Sequence, residues 1–164
     1  MMNQAIRATL VAATVLGAIV IPVSAGGVST PSHNTPTLTD PERQAIVSRF
    51  ATAFTHDDHA GIAANSAANI TWTIPGTSAV SGERRGVNAV IHLADVLAQY
   101  ELHISVQAFT FGTDTVAVEL RDSGSHNGKT LDQDVVNVLT IRDGKIASAD
   151  GNLANVNSFD AYFS

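Results

Sequence analysis

The chain has 164 residues, 45% of them hydrophobic, with nine basic and 15 acidic side chains and no cysteine. That length suits one domain with a modest core, and the missing cysteine excludes disulfides, thiolate nucleophiles, Cys-bound zinc and iron–sulfur clusters. The only basic residue before Asp40 is Arg7, so the rest of the chain sets eight basic against 15 acidic residues, a balance that disfavours nucleic acid and anionic membrane surfaces as partners.

Met1 to Arg7 carries one positive charge, and Ala8 to Val23 is a 16-residue apolar run interrupted by Pro22. Val23-Ser24-Ala25 then places small residues where a secretory signal is cut, which predicts a leader over 1–25. The alternative is a retained anchor, but the run is short of the roughly 20 residues that a spanning helix needs. Gly26 to Thr39 is rich in Gly, Ser, Thr and Pro and reads as a flexible linker. The expectation is an exported domain over 40–164, secreted or held in the cell envelope, with no stable membrane insertion once the leader is cut.

Thr39-Asp40-Pro41-Glu42 has the pattern of a capping box with proline in the first turn, so a helix should start there. Ile46, Val47, Phe50, Ala53 and Phe54 form its apolar stripe, which ends near His56-Asp57-Asp58-His59. Asp58 fits the cap of a short second helix over 60–64. Two histidines three apart invite a metal reading, but without further placed ligands the signal is weak, and no metal or other cofactor is expected. Asn69 to Ile74 predicts a strand ending at Pro75-Gly76, and Ser81 to Gly86 a turn. Val90, Leu93, Ala94 and Leu97 mark a third helix.

Beyond Leu102 the apolar period changes from 3.6 to 2. Leu102, Ile104, Val106 and Ala108 alternate, Phe109 and Phe111 switch phase, and Val116, Val118 and Leu120 alternate again, which predicts a bulge. Ser123 to Gly128 reads as a hairpin loop, Leu131 to Ile141 as a long strand, and Asp143-Gly144 as a tight turn into a last strand to Asp150. Helices followed by an antiparallel meander give an α+β domain with the helices on one face of a curved sheet.

Trp72-x-Ile74-Pro75-Gly76, Ser81-Gly82-x-x-Arg85-Gly86, Gly128 to Gln133, Arg142-Asp143-Gly144-Lys145-Ile146 and Phe159 to Phe163 together resemble the SnoaL-like branch of the NTF2-like superfamily. The resemblance spans about residues 40 to 164. It implies a cone of bent antiparallel sheet around about three helices, with a pocket inside and association through the outer sheet face. It also implies a range of functions: polyketide cyclase, steroid isomerase, epoxide hydrolase, dehydratase, or binding without chemistry. Aligned on the two turns, the position of the ketosteroid isomerase proton-shuttling aspartate is Ile74, that of its oxyanion-binding tyrosine is Phe50, and that of its protonated aspartate is Asn137. Isoleucine cannot carry a proton, so the steroid-isomerase mechanism does not transfer.

Strand parity places Leu131, Gln133, Val135, Asn137, Leu139 and Ile141 on one face of the long strand. Phe50, Trp72, Ile74, Gln133 and Asn137 are therefore the expected pocket residues, although Gln133 and Asn137 equally fit amides that bond buried backbone. Asp150, which shares a strand face with Ile146 and Ser148, is the candidate for handling a proton, and Asn137, whose amide can donate a hydrogen bond to a substrate oxygen, is the other candidate catalytic residue. An exposed strand-end aspartate is the blander reading of Asp150. Val136 and Val138, beside acids on the opposite face, suit a homodimer contact. The expected function is an exported pocket protein for a small, largely apolar molecule. The alternatives are an isomerase, cyclase or lyase using general acid–base catalysis, and a non-enzymatic interaction domain.

Overall fold

The computed structural model describes residues 38–164. The leader and nearly all of the linker lie outside the described residues. Within that span the element order is α1 (Asp40–Thr55), α2 (His59–Asn65), β1 (Ser66–Ile74), β2 (Gly82–Arg85), α3 (Val87–Ala98), β3 (His103–Phe111), β4 (Thr115–His126), β5 (Lys129–Arg142), β6 (Lys145–Leu153) and α4 (Val156–Tyr162). Among the described residues, no helix is long and apolar enough to cross a membrane.

The N-terminus of α1 is held by Glu42, whose carboxylate accepts from the Thr39 N–H at 2.8 Å and from its hydroxyl at 2.7 Å. This satisfies a donor that a helix start leaves without an intrahelical partner. The linker ends earlier than its composition suggests, because Leu38 already packs against the core. Asp58 caps α2 by accepting from the Gly61 N–H at 3.0 Å, as expected. The stripe Ile46, Val47, Phe50, Ala53 and Phe54 is buried throughout, and α3 adds Val90, Leu93, Ala94 and Leu97 to the same core.

The strands form one six-stranded sheet in the order β2-β1-β6-β5-β4-β3. The pairing is antiparallel except between β1 and β6, which run parallel, so the sheet is mixed rather than a pure meander. Ser81 to Gly86 is not merely a turn: Gly82–Arg85 pairs along β1, Ile74 lying opposite Gly82 and Thr71 opposite Arg85. The expected irregularity near Phe109 is a register shift between Val106 and Ala108, which brings Phe109 opposite Val118 and Phe111 opposite Val116. Ser123 to Gly128 is not a loop either. The β4–β5 ladder runs on to His126 opposite Lys129, and the connection is Asn127-Gly128 alone, with φ of 50° and 77°, the left-handed backbone of a two-residue hairpin turn.

A fourth helix, α4, closes the fold. Asn155 caps it by accepting from the Ser158 N–H at 3.0 Å, and Phe159 and Tyr162 enter the core. From this helix Asp160 reaches the turn after β1, accepting from the Thr77 and Ser78 N–H groups at 2.8 and 2.9 Å and from the Thr77 and Ser81 hydroxyls. Burial pushes its pKa up, but these four donors outweigh it and hold the carboxyl at about 2. Gly76, at φ 113°, takes a backbone conformation closed to L side chains and leaves room for that carboxylate.

Candidate functional site

A cavity of about 210 Å³ lies between the concave face of the sheet and the helices. Helix α1 supplies Val47, Phe50 and Phe54, β1 supplies Trp72 and Ile74, and β3 supplies Ile104 and Val106. The two long strands contribute Val118, Leu120 and Asp122 from β4 and Val135, Asn137 and Leu139 from β5. The wall is almost entirely apolar. Its aromatic part is a packed set in which Phe54 lies 4.4 Å from Trp72, centroid to centroid, and Phe50 lies 5.8 Å from it. The indole N–H of Trp72 is buried without a hydrogen-bond partner. The wall reaches solvent at His56, an exposed residue whose Nδ1 is 2.9 Å from the Thr52 carbonyl.

Four of the five expected pocket residues, Phe50, Trp72, Ile74 and Asn137, share this wall. Gln133 does not. It is buried on the same strand face, but its Oε1 accepts from the backbone N–H of Asn155 at 3.0 Å, which ties β5 to the start of α4. Asn137 is half-buried and lies across the ladder from Val118 and Gly151.

Asp150 is not an inward carboxylate. It is exposed and pairs with Val138 on the outer sheet face. The register of β5 against β6 shifts between Thr140 and Ile141, so the buried positions on β6 are Ile146 and Ala149, and simple alternation from Ile146 ends on the wrong side. Glu119 on β4 is also exposed.

The carboxylate inside the cavity is Asp122, which the sequence reading missed. Only 6% of it is exposed, one of its oxygens is buried without a partner, and it lies on the cavity wall. Burial favours the neutral acid, and raises its pKa to about 7. A signal for it was present: Val116, Val118 and Leu120 alternate inward, and two residues on the same parity reaches Asp122.

His56 and His59 do not act as a pair. His59 turns to α3, with Nε2 2.8 Å from Asp95 and 3.4 Å from Asp57, and its pKa is raised first by the hydrogen bond to Asp95. The ligand atoms of Asp57, His59 and Asp95 lie within 4.8 Å of one another at the surface, a spacing that a cation would accept. Exposed groups of this kind are equally served by water.

Residues 47–149 match the family model described as SnoaL-like domain. No curated protein sequence matches the chain. Among solved structures, a Xanthomonas campestris protein of cystatin-like fold and unknown function is 30% identical, with a TM-score of 0.67 over 74% of this chain and 97% of that one. An NTF2-like protein from Burkholderia xenovorans is 25% identical, with a TM-score of 0.70 over 77% and 98%. The epoxide hydrolase/cyclase-like enzyme SalBIII of pyran-ring formation in the polyether salinomycin is 21% identical, with a TM-score of 0.60 over 70% and 92%. That last likeness is one of fold.

Proposed function

Since the chain belongs to the SnoaL-like domain family, we propose that it performs general acid–base chemistry on a small, largely apolar molecule held in the cone cavity, with Asp122 carrying the proton. The observation behind this reading is a single one: a carboxyl in an almost entirely apolar wall, with a pKa raised by burial to about 7. A carboxyl at its ordinary value near 4 is too weak a base for most C–H or O–H protons, whereas one poised near neutrality can both take and return a proton. The reaction class that fits is isomerisation or ring closure of a molecule bearing a carbonyl or hydroxyl, ring formation being the chemistry named for the cyclase-like structural neighbour. Asn137, on the same wall, offers an amide donor for the substrate oxygen as charge builds on it.

The test is proton exchange. The protein is incubated in D₂O with a panel of apolar ketones and hydroxy-ketones, and deuterium entry next to the carbonyl is followed by NMR, with Asp122→Asn as control. Exchange that depends on Asp122 supports the reading. Ligands that bind without exchanging would instead establish binding without turnover, the reading favoured by the apolar wall and by Ile74 at a position where an acid would serve.

Two further features belong to the same proposal. The leader over 1–25 places the mature domain outside the cytoplasm. The outer sheet face, with half-buried Val136 and Val138 among polar neighbours, joins two copies of the chain.

A further inference from the structure

We infer that Gln133 is a positioning residue for Asp122, its side-chain N–H holding the Asp122 carboxylate in one orientation across the β4–β5 ladder. The inference rests on the reading of Asp122 as the proton carrier and adds a residue outside the cavity wall to that site.

Asp122 and Gln133 are direct cross-strand partners in the antiparallel β4–β5 pairing. Both point to the concave face, where they are 6% and 5% exposed. Side chains directly opposite in such a pair start from Cβ atoms about 4.5 to 5.5 Å apart, well within mutual reach. Asp122 Oδ1 and Gln133 Nε2 are both buried without a hydrogen-bond partner, and they are complementary, since an ionised carboxylate only accepts and an amide nitrogen only donates. The amide cannot exchange its two ends freely, because Oε1 is engaged by the Asn155 N–H at 3.0 Å. Its donor end is therefore the one left for the carboxylate; the two atoms are not bonded to each other in the structure, so the contact forms by a side-chain rotation as Asp122 ionises. A hydrogen bond to a charged acceptor is stronger than one to a neutral acid, so the contact should tighten when Asp122 gives up its proton. That restrains the carboxylate in the state in which it acts as a base.

Few other groups compete for this role. His56 at the end of α1 shares the cavity wall. Tyr162 on α4 donates its hydroxyl to the Tyr100 carbonyl and has Glu101 nearby. Arg121, Asp132 and Asp134 pair with one another on the opposite face of the sheet.

The experiment follows two NMR signals in the intact protein between pH 4 and pH 9: the Asp122 side-chain carbonyl carbon and the Gln133 side-chain NH₂. In the unsubstituted chain both should move with one midpoint, and in Asp122→Asn the Gln133 signals should stay flat. Gln133→Glu keeps an oxygen for the Asn155 N–H but replaces the donor with a second carboxyl, and should raise the Asp122 midpoint by about one pH unit or more. Gln133→Met, which removes the donor without adding charge, should raise it by about half a unit to one unit. A purely structural Gln133, bonded only to Asn155, would leave the Asp122 midpoint unchanged in Gln133→Met and its own NH₂ flat through the titration, whereas the charge added in Gln133→Glu raises the midpoint in either case; an unchanged midpoint in Gln133→Met or a flat NH₂ overturns the inference. The NH₂ measurement needs no variant, so a substitution that fails to fold does not leave the question open. An Asp122 midpoint near 4 would sink the proposed acid–base role, while co-titration of the Gln133 NH₂ would still decide the contact.

Discussion

Phe54 lies against Trp72 with ring centroids 4.4 Å apart, and both this helix ring and the chain's single tryptophan line the cavity. A ligand entering the cavity changes the surroundings of that indole, which forms part of the wall. Binding should quench or shift Trp72 emission, read by titration with apolar ketones. Phe54→Ala, which enlarges the cavity beside the ring, should change both the starting emission and the affinity. Emission that stays constant while calorimetry reports binding would place the ligand elsewhere.

Asn137 supplies a polar contact in a wall that is otherwise apolar on its strand. Asn137→Leu should weaken a carbonyl-bearing ligand by roughly 1 to 3 kcal/mol and leave a hydrocarbon of the same shape nearly unaffected. Parallel calorimetric titrations of the two ligands decide the matter, since equal losses for both would make Asn137 a structural amide.

Asp122 should make folding depend on pH in the direction opposite to an ordinary surface aspartate. Its carboxyl ionises at about 4 in the unfolded chain and at about 7 in the folded one. Below about pH 4 both states hold the proton and burial carries no ionic penalty. As pH rises toward 7 the unfolded chain ionises first, so folding is progressively disfavoured; above 7 both states are charged and the penalty is constant. Asp122→Asn should therefore gain on the unsubstituted protein between pH 4 and pH 7, reaching roughly 2 to 4 kcal/mol at pH 8. Urea unfolding at pH 4.5 and pH 8 measures the gap, and a gap of equal size at both would show that the carboxyl is not shifted.

Val138 is half-buried, on the outer face, between Ala117 and Asp150. If two copies meet on this face, Val138→Arg should halve the mass seen by light scattering while circular dichroism stays the same. An unchanged dimer mass would exclude this surface, and a monomer before substitution would exclude the dimer.

If Met1 to Ala25 is cut as a secretory leader, the mature N-terminus lies at or near Gly26. Intact-mass measurement on protein exported by its own host should return a chain lacking Met1 to Ala25, and a species that keeps them would make the apolar run an anchor.

The helices and most of the sheet were legible because their signals are local. The capping box at Thr39, the apolar stripes of α1 and α3, and the phase switch near Phe109 each occupy a few neighbouring residues, and each is found where expected. The candidate site was only half legible. Phe50, Trp72, Ile74 and Asn137 follow from parity and from the family resemblance. Asp122 was hidden because Ser123 to Gly128 has the composition of a loop, whereas Asn127-Gly128 alone makes the turn and the strand runs through the rest. Asp150 was misplaced by a register shift, which no alternation pattern reveals. The seven-residue α4 is too short to show a period, and its sign was the Asn155 cap followed by Phe159 and Tyr162.

The parallel seam between β1 and β6 also fixes when the domain can fold. Thr71 pairs with Ser148, 77 positions further along, and contacts of such separation form late because a long loop must be closed first. A chain emerging from the ribosome or from an export channel has α1, α2, β1, β2 and α3 long before any strand that can cover the second edge of β1. Until β6 arrives that edge stays bare and adhesive, and α3 has only β1 and β2 of the sheet to lie against. A chain that loses its last twenty residues to a protease or a stop codon would have its sheet parted between β1 and β5 and its cavity wall stripped of Gly151, Leu153 and Phe159, leaving a sticky fragment rather than a weaker version of the same protein.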